Sequence, residues 1–229
     1  MFQPKFITFT GADDRTSIAE MAALAEDHEV EFAILFSESR SDSARYPSYD
    51  WIEEVRDSGL RLAAHICGSW AREIATAGTC DIDHRMKGFS RVQINTGPGA
   101  DVTKVKDWAN RASDKAGHEV TPILQCREAF PEDDRVAWLY DCSGGRGTLP
   151  DSWPLPPQKS NVLFGYAGGM GPDNVAGILA SLEGNADSWI DMESRVRNDQ
   201  ELFDLEMCRD VCISVANACR LEGSDPQAL

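Results

Sequence analysis

The residues with the plainest chemical potential are a glycine pair and a thiol–imidazole pair. Positions 164–174 read FGYAGGMGPDN. Val162, Leu163 and Phe164 give an apolar run with the β-branched and aromatic bias of a strand buried on both faces. Gly168 and Gly169 follow, where bare backbone N–H groups can approach an anion with no Cβ in the way. Pro172 suits the first turn of a helix, and Val175, Ile178, Leu179 and Leu182 repeat at helical spacing. A strand, a turn running from Gly168 to Asn174 and a helix N-terminus together aim free donors and a positive dipole end at one spot. That is the chemistry of a phosphate cradle; the alternative is a tight turn that needs glycine for steric reasons alone. The second pair is His65 and Cys67 in LAAHICG. Two apart on a strand, they share one face, and a neighbouring imidazole is one way to make a thiol more acidic and more reactive. A small apolar cysteine beside a hydrogen-bonded histidine is the competing explanation. Cys126 and Cys142 are weaker versions of the same idea.

These residues need elements to hold them. Eight apolar, strand-like runs recur at 6–9, 32–36, 60–66, 92–94, 120–124, 136–140, 162–166 and 189–192. Helical stripes lie between most of them: Ile18, Met21, Ala22, Leu24 and Ala25; then Trp51, Ile52 and Val55; then Val102, Val105 and Trp108. A last helix is expected over 202–221. Strands alternating with helices imply βαβ units and a parallel sheet, and eight of them fit an α/β fold of the single (β/α)8 TIM barrel type. A doubly wound open sheet is the rival, weakened because the first βα turn, Thr10-Gly11-Ala12-Asp13-Asp14, lacks a GxGxxG fingerprint. The interval 126–135 is short and contains Pro131, so no full helix is expected there. One barrel domain over 1–229 is expected, with a flexible tail at 222–229.

A chain of 229 residues can bury a substantial core. Its formal net charge of −16 excludes unaided binding to nucleic-acid backbone or to an anionic membrane, since no basic block exists to release counterions. No apolar run approaches the roughly 20 residues of a membrane span, and the start MFQPKFITFTG has no signal-peptide pattern. Seven cysteines without paired CxxC spacing suit reduced thiols, and a cytoplasmic location is expected. Cys208 and Cys212 read as buried thiols. The four histidines, His28, His65, His84 and His118, are dispersed, so neither a metal site nor a cofactor is expected.

Taken together the motifs resemble the phosphoribosylanthranilate isomerase family. Family patterns of the kind LLDS-xx-GGTG-xx-FDW, LAGGL-xPENV and DVSSGVE are similar to YDCSGGRGTLPDSW, YAGGMGPDNV and IDMESRVR here, in the same order. Ser43-Ala44-Arg45-Tyr46-Pro47-Ser48 looks like the family's SPRYVS loop. The resemblance implies a barrel and an Amadori rearrangement of an aminoaldose phosphate, which needs an acid to open a furanose and a base to take a C2 proton. It implies Asp141 as the acid and Arg45 as the partner of a substrate carboxylate. Arg146, on the glycine-rich loop beside Asp141, is a second candidate anion contact. The family's first-strand cysteine, its base, aligns with Ile7, and its QLHG histidine with Asn95 in Gln93-Ile94-Asn95-Thr96. Its last phosphate loop corresponds to Ser194-Arg195, where Arg195 either clamps a phosphate or fills the space a backbone nest would need. Glu193 is expected to point outward, and Asp151 and Trp153 to be structural.

The resulting expectation is an enzyme, monomeric or homodimeric, that isomerises a small phosphorylated, carboxylate-bearing metabolite with Asp141 as acid and a relocated base, Cys67 or His65. A catalytically degenerate barrel that binds a phosphorylated ligand, as sensor or interaction protein, is the alternative. The family reaction with an unusual base is a third reading.

Overall fold

Side chains alternate across a strand, so a parallel sheet closed on itself must supply apolar residues to two surfaces at once, an outer wall and an interior. The computed structural model of the chain, which describes residues 2–40, 44–97, 99–182 and 188–223, shows this arrangement. Strands β1 (Ile7–Thr10), β2 (Val30–Ser37), β3 (Leu62–Cys67), β4 (Arg91–Ile94), β5 (Thr121–Cys126), β6 (Ala137–Tyr140), β7 (Phe164–Ala167) and β8 (Ser188–Met192) pair in parallel in chain order. β8 pairs with β1, closing a (β/α)8 TIM barrel. Each of the eight apolar runs read from the sequence overlaps one strand. Ser43 and the tail from 224 onward lie outside the described residues. No helix among the described residues is long and apolar enough to cross a membrane.

Among the described residues six α-helices flank the strands: α1 (Ile18–Asp27), α2 (Tyr49–Arg56), α3 (Gly68–Ala77), α4 (Val102–Ala116), α5 (Val175–Ser181) and α6 (Leu205–Gly223). Their apolar stripes, Met21 and Leu24 on α1 or Val105 and Trp108 on α4, join the outward residues of the strands in one large cluster. Ser17, Ser48 and Asp101 cap the N-termini of α1, α2 and α4 with their side-chain oxygens.

Among the described residues no helix lies between β5 and β6, as Pro131 and the short interval imply, and none lies between β6 and β7. Aromatic rings cover that side instead. Phe130 stands 4.9 Å from Phe164 and 5.3 Å from Tyr166, while Trp153 stands 5.9 Å from Tyr140 and 5.8 Å from Tyr166, all edge to face. The Tyr166 hydroxyl donates to Pro154 O at 2.9 Å and Trp138 Nε1 to Asp133 O at 2.7 Å, tying both connecting loops to the wall.

A smaller cluster of Phe6, Ile123, Ala137, Leu139 and Trp189 fills the interior. Trp189 stacks on Phe6 with ring centroids 6.2 Å apart. Gly165 makes room for it: a Cβ there would sit 2.3 Å from Trp189 and 2.7 Å from Leu139. Glu31 on β2 accepts from Arg91 on β4 at 2.8 Å, a pair that crosses the interior because β3 lies between them. Thr8 Oγ1 also donates to Glu31, at 2.9 Å. The Arg91 guanidinium lies 4.0 Å over the Trp189 ring, so the buried charge is both paired and stacked. The inward residues of β1 are therefore Thr8 and Thr10. Ile7 belongs to the outer cluster, which corrects the expectation that it stands at an interior, catalytic register.

Replacing Gly165 with alanine is expected to cost about 1–3 kcal/mol in urea unfolding, because the Trp189 ring has nowhere to go. Combined with Trp189→Leu, the loss should be smaller than the sum of the two single losses. Additive losses would show that the contact with Trp189 is not what requires the glycine.

Candidate functional site

The C-terminal strand ends converge on a cavity of about 310 Å³. β3 brings His65 to its wall, β4 Gln93 and Asn95, β5 Gln125, the turn after β6 Asp141, the turn after β7 Gly168 and Gly169, and the end of β8 Asp191, Glu193 and Ser194. Barrel enzymes place their reacting groups at this end.

Asp191 and His65 face each other across the barrel, with Asp191 Oδ2 at 3.6 Å from His65 Nε2. Thr10 Oγ1 donates to Asp191 Oδ1 at 2.9 Å. Both groups are buried. Burial pushes the Asp191 carboxyl up to about 8, with a single hydrogen bond from Thr10 working against it. Burial, and secondarily the charge of Arg91, pushes the His65 imidazole down to about 3. At neutral pH the contact therefore joins a carboxylic acid to an uncharged imidazole and is no ion pair.

Asp141 is buried too, but in another setting. Its Oδ1 accepts from Ser143 N at 3.0 Å and Ser143 Oγ at 2.6 Å. Its Oδ2 accepts from Gly145 N at 2.7 Å and Gln125 Nε2 at 3.4 Å. The glycine-rich turn after β6 thus folds back to seat the carboxyl group, and Ser143 Oγ in turn accepts from Arg146 N and Gly147 N, both at 3.1 Å.

The glycine pair after β7 answers both readings of its motif. Gly168 and Gly169 have φ of +121° and +65°, and a Cβ on them would sit 3.0 Å from Thr148 O and 2.7 Å from Gly147 O. The loop after β6 lies directly on them, so sterics alone demand glycine. Their N–H groups nevertheless donate to no other described residue, and both residues line the cavity.

Of the residues singled out in the sequence, the fold gathers His65, Asn95, Asp141, Gly168, Gly169 and Ser194 around the cavity. Cys67, Arg45, Arg146, Asn174 and Arg195 do not line it. Cys67 accepts from Asn95 Nδ2 at 3.1 Å, and burial pushes its thiol up, so the adjacent imidazole does not make it more acidic. Burial likewise pushes Cys126 up to about 12 and raises Cys142. Arg45 is ion-paired with Glu193 at 3.2 Å and with Glu201. Glu193 lines the cavity, against the expectation that it points outward, with Arg45 donating to its carboxylate. Arg195 pairs with Asp173 at 2.6 Å. Asn174 braces its own turn, accepting from Gly171 N at 2.8 Å and donating to Gly169 O at 2.9 Å. The Arg146 side chain is exposed. Among the described residues no group of three or more His, Cys, Asp or Glu is placed to hold a metal ion.

Sequence reasoning passed over Asp191, Gln125 and Arg127, all of which line the cavity. A signal for Asp191 was present: it is an acid within an apolar strand, two residues from Trp189 and so on the same face.

No protein-family model matches the sequence, and no curated protein matches it. Solved structures do. Phosphoribosyl anthranilate isomerase from Thermus thermophilus superposes with a TM-score of 0.55 at 14% identity, over 92% of this chain and 98% of that one. TrpF from Jonesia denitrificans gives 0.58 at 12%, over 93% and 98%. A phosphoribosyl anthranilate isomerase in complex with reduced 1-(o-carboxyphenylamino)-1-deoxyribulose 5-phosphate gives 0.57 at 12%, over 95% and 100%. The shared feature is the fold.

The Asp191–His65 contact fixes a pH dependence. A carboxyl raised to about 8 favours the folded state at low pH and loses that contribution as pH climbs toward 8. His65, lowered from 6.5 to about 3, opposes this only below pH 6.5. Between pH 6.5 and 8 the protein is expected to lose stability relative to Asp191→Asn, by up to about 1.4 kcal/mol per pH unit. Urea midpoints across that window provide the measurement; parallel curves for the two proteins would contradict the assignment.

Proposed function

We propose that the chain is an enzyme that transfers a proton beside a carbonyl or imine of a small phosphorylated, carboxylate-bearing metabolite, an isomerisation or closely related reaction. One observation carries this reading: two buried carboxyl groups, Asp141 and Asp191, reach one cavity from β6 and β8, and the glycine pair of β7 lies between them. The free N–H groups of Gly168 and Gly169, with Ser194 beside them, form an anion site on that side. A phosphate held there places the rest of the ligand across the two carboxyl groups. One of them takes the proton from carbon as the other delivers one to the neighbouring heteroatom. The enol or enamine so formed collapses when the first returns its proton to the adjacent carbon and the second takes one from the heteroatom on the carbon first deprotonated. Asp191 suits the donor, since burial keeps it protonated near neutrality. Asp141, on the other side of the glycine pair, is then left as the acceptor. The family resemblance gives the acid to Asp141; the burial of Asp191 favours the exchanged roles. A solved isomerase of similar fold holds a carboxylated sugar phosphate, which supports the ligand class.

The second reading, a barrel that binds a phosphorylated ligand without turning it over, draws on Thr8 and Thr10 as the inward residues of β1 and on Asn95 at the end of β4. None of the three can act as a proton-transfer base near neutral pH.

In 15N spectra, inorganic phosphate is expected to shift the Gly168 and Gly169 amides before any others. Asp141→Asn and Asp191→Asn should each lower kcat at least ~100-fold while leaving those shifts in place. Turnover unchanged by both substitutions would refute the mechanism; phosphate binding with no turnover across a panel of carboxylated sugar phosphates would establish the second reading. Rescue of a tryptophan auxotroph lacking the isomerase identifies the standard family reaction.

A further inference from the structure

The chain carries 22 Lys and Arg against 38 Asp and Glu, so its arginines find partners readily. Around the mouth most do, Arg146 on the turn after β6 being exposed to solvent instead. Arg15 pairs with Asp13, Arg45 with Glu193 and Glu201, and Arg195 with Asp173, while Arg197 donates to the carbonyls of Gly11 and Glu201. Arg127, just past the end of β5, is different. It lines the cavity, yet makes no hydrogen bond or ion pair with another described residue. Its guanidinium lies against the loop that seats Asp141: a Cβ on Gly144 would fall 2.7 Å from Arg127 Nη2. Asp141 makes no ion pair with it; its carboxyl oxygens accept from Ser143, Gly145 and Gln125 instead.

The part of the wall supplied by β4 and β5 is otherwise neutral and hydrogen-bonding. Asn95, Thr96 and Gln125 line it, and Gln93 adds an Oε1 that is buried without a partner. A single cation among amides and a hydroxyl neutralises one negative charge. A carboxylate carries one; a second phosphate would leave charge over in a cavity already lined by Asp141, Asp191 and Glu193. The planar fork of a guanidinium also fits a carboxylate with two parallel hydrogen bonds.

We propose that Arg127 binds the carboxylate of the substrate, at the β5 side of the cavity, and that Arg45 does not. The inference rests on the phosphate site proposed above at Gly168 and Gly169. It makes the ligand a two-headed anion, with phosphate at β7, carboxylate at β5 and the reacting carbons beside Asp141 of β6. Arg45 is held at the rim by two carboxylates and belongs to the architecture of the mouth.

Calorimetric titration of the full chain with 6-phosphogluconate and with sorbitol 6-phosphate isolates the carboxylate, since the two differ in that group. The wild type should prefer 6-phosphogluconate roughly tenfold, the worth of one charge-assisted hydrogen-bonded pair. Arg127→Met should abolish the preference without altering affinity for inorganic phosphate, and Arg45→Met should retain it. Absence of a preference in the wild type, its persistence in Arg127→Met, or its loss in Arg45→Met would each overturn the proposal. Failure of inorganic phosphate to move the Gly168 and Gly169 amides is a separate result and sinks the phosphate site instead.

Discussion

Everything at the mouth of this barrel depends on how its interior is filled. Eight closed strands enclose a space that must be packed from within, and here one large ring, Trp189, occupies much of it. The ring fits because β7 offers Gly165 at the facing register, and the Arg91 guanidinium lies over both it and the Phe6 ring beside it. The pleat then dictates what comes next. Two residues above Trp189 is Asp191, two above Arg91 is Gln93, and two above Ala63 is His65. The packed layer is thus the floor of the cavity, and the same period of two that buries the ring delivers the polar groups above it. The coupling is also electrical: Arg91, held in the lower layer by Glu31, helps to keep His65 uncharged.

The two carboxyl groups of the cavity show how environment separates residues of one type. Asp191 sits on a strand, where the backbone is committed to the sheet, and receives one hydroxyl donor. Asp141 sits just past the end of a strand, where the following turn is free to curl back and supply backbone donors of its own. A strand interior desolvates a side chain; a strand end can surround it with N–H groups.

Much of this was legible in the sequence. The strands show as apolar runs because both of their faces are buried, and α1, α2 and α4 show as stripes because one face is. Asp141, His65, Asn95, Gly168, Gly169 and Ser194 were placed at strand ends by spacing or resemblance, and a barrel gathers strand ends automatically. What the sequence hid were contacts between loops. Arg45, Arg146 and Arg195 read as free cations until Glu193, Glu201 and Asp173 are seen beside the first and third of them and solvent around the second. Asn174 read as part of a cradle, yet its amide is spent on the turn itself. The register of β1 was misjudged by one residue, which in a strand exchanges inside for outside and put Ile7 where a threonine belongs.

The segment between β6 and β7 stands where a helix would in a regular barrel, and its rings and carbonyls seal the wall while its first turn seats Asp141 and its middle rests on Gly168 and Gly169. Barrel architecture ordinarily divides labour, with helices and strands bearing stability and loops free to change specificity. That division is lost here. A substitution between 141 and 163 acts on folding and on the site together, so the room for altering ligand preference at no cost to the scaffold lies in the turn after β4.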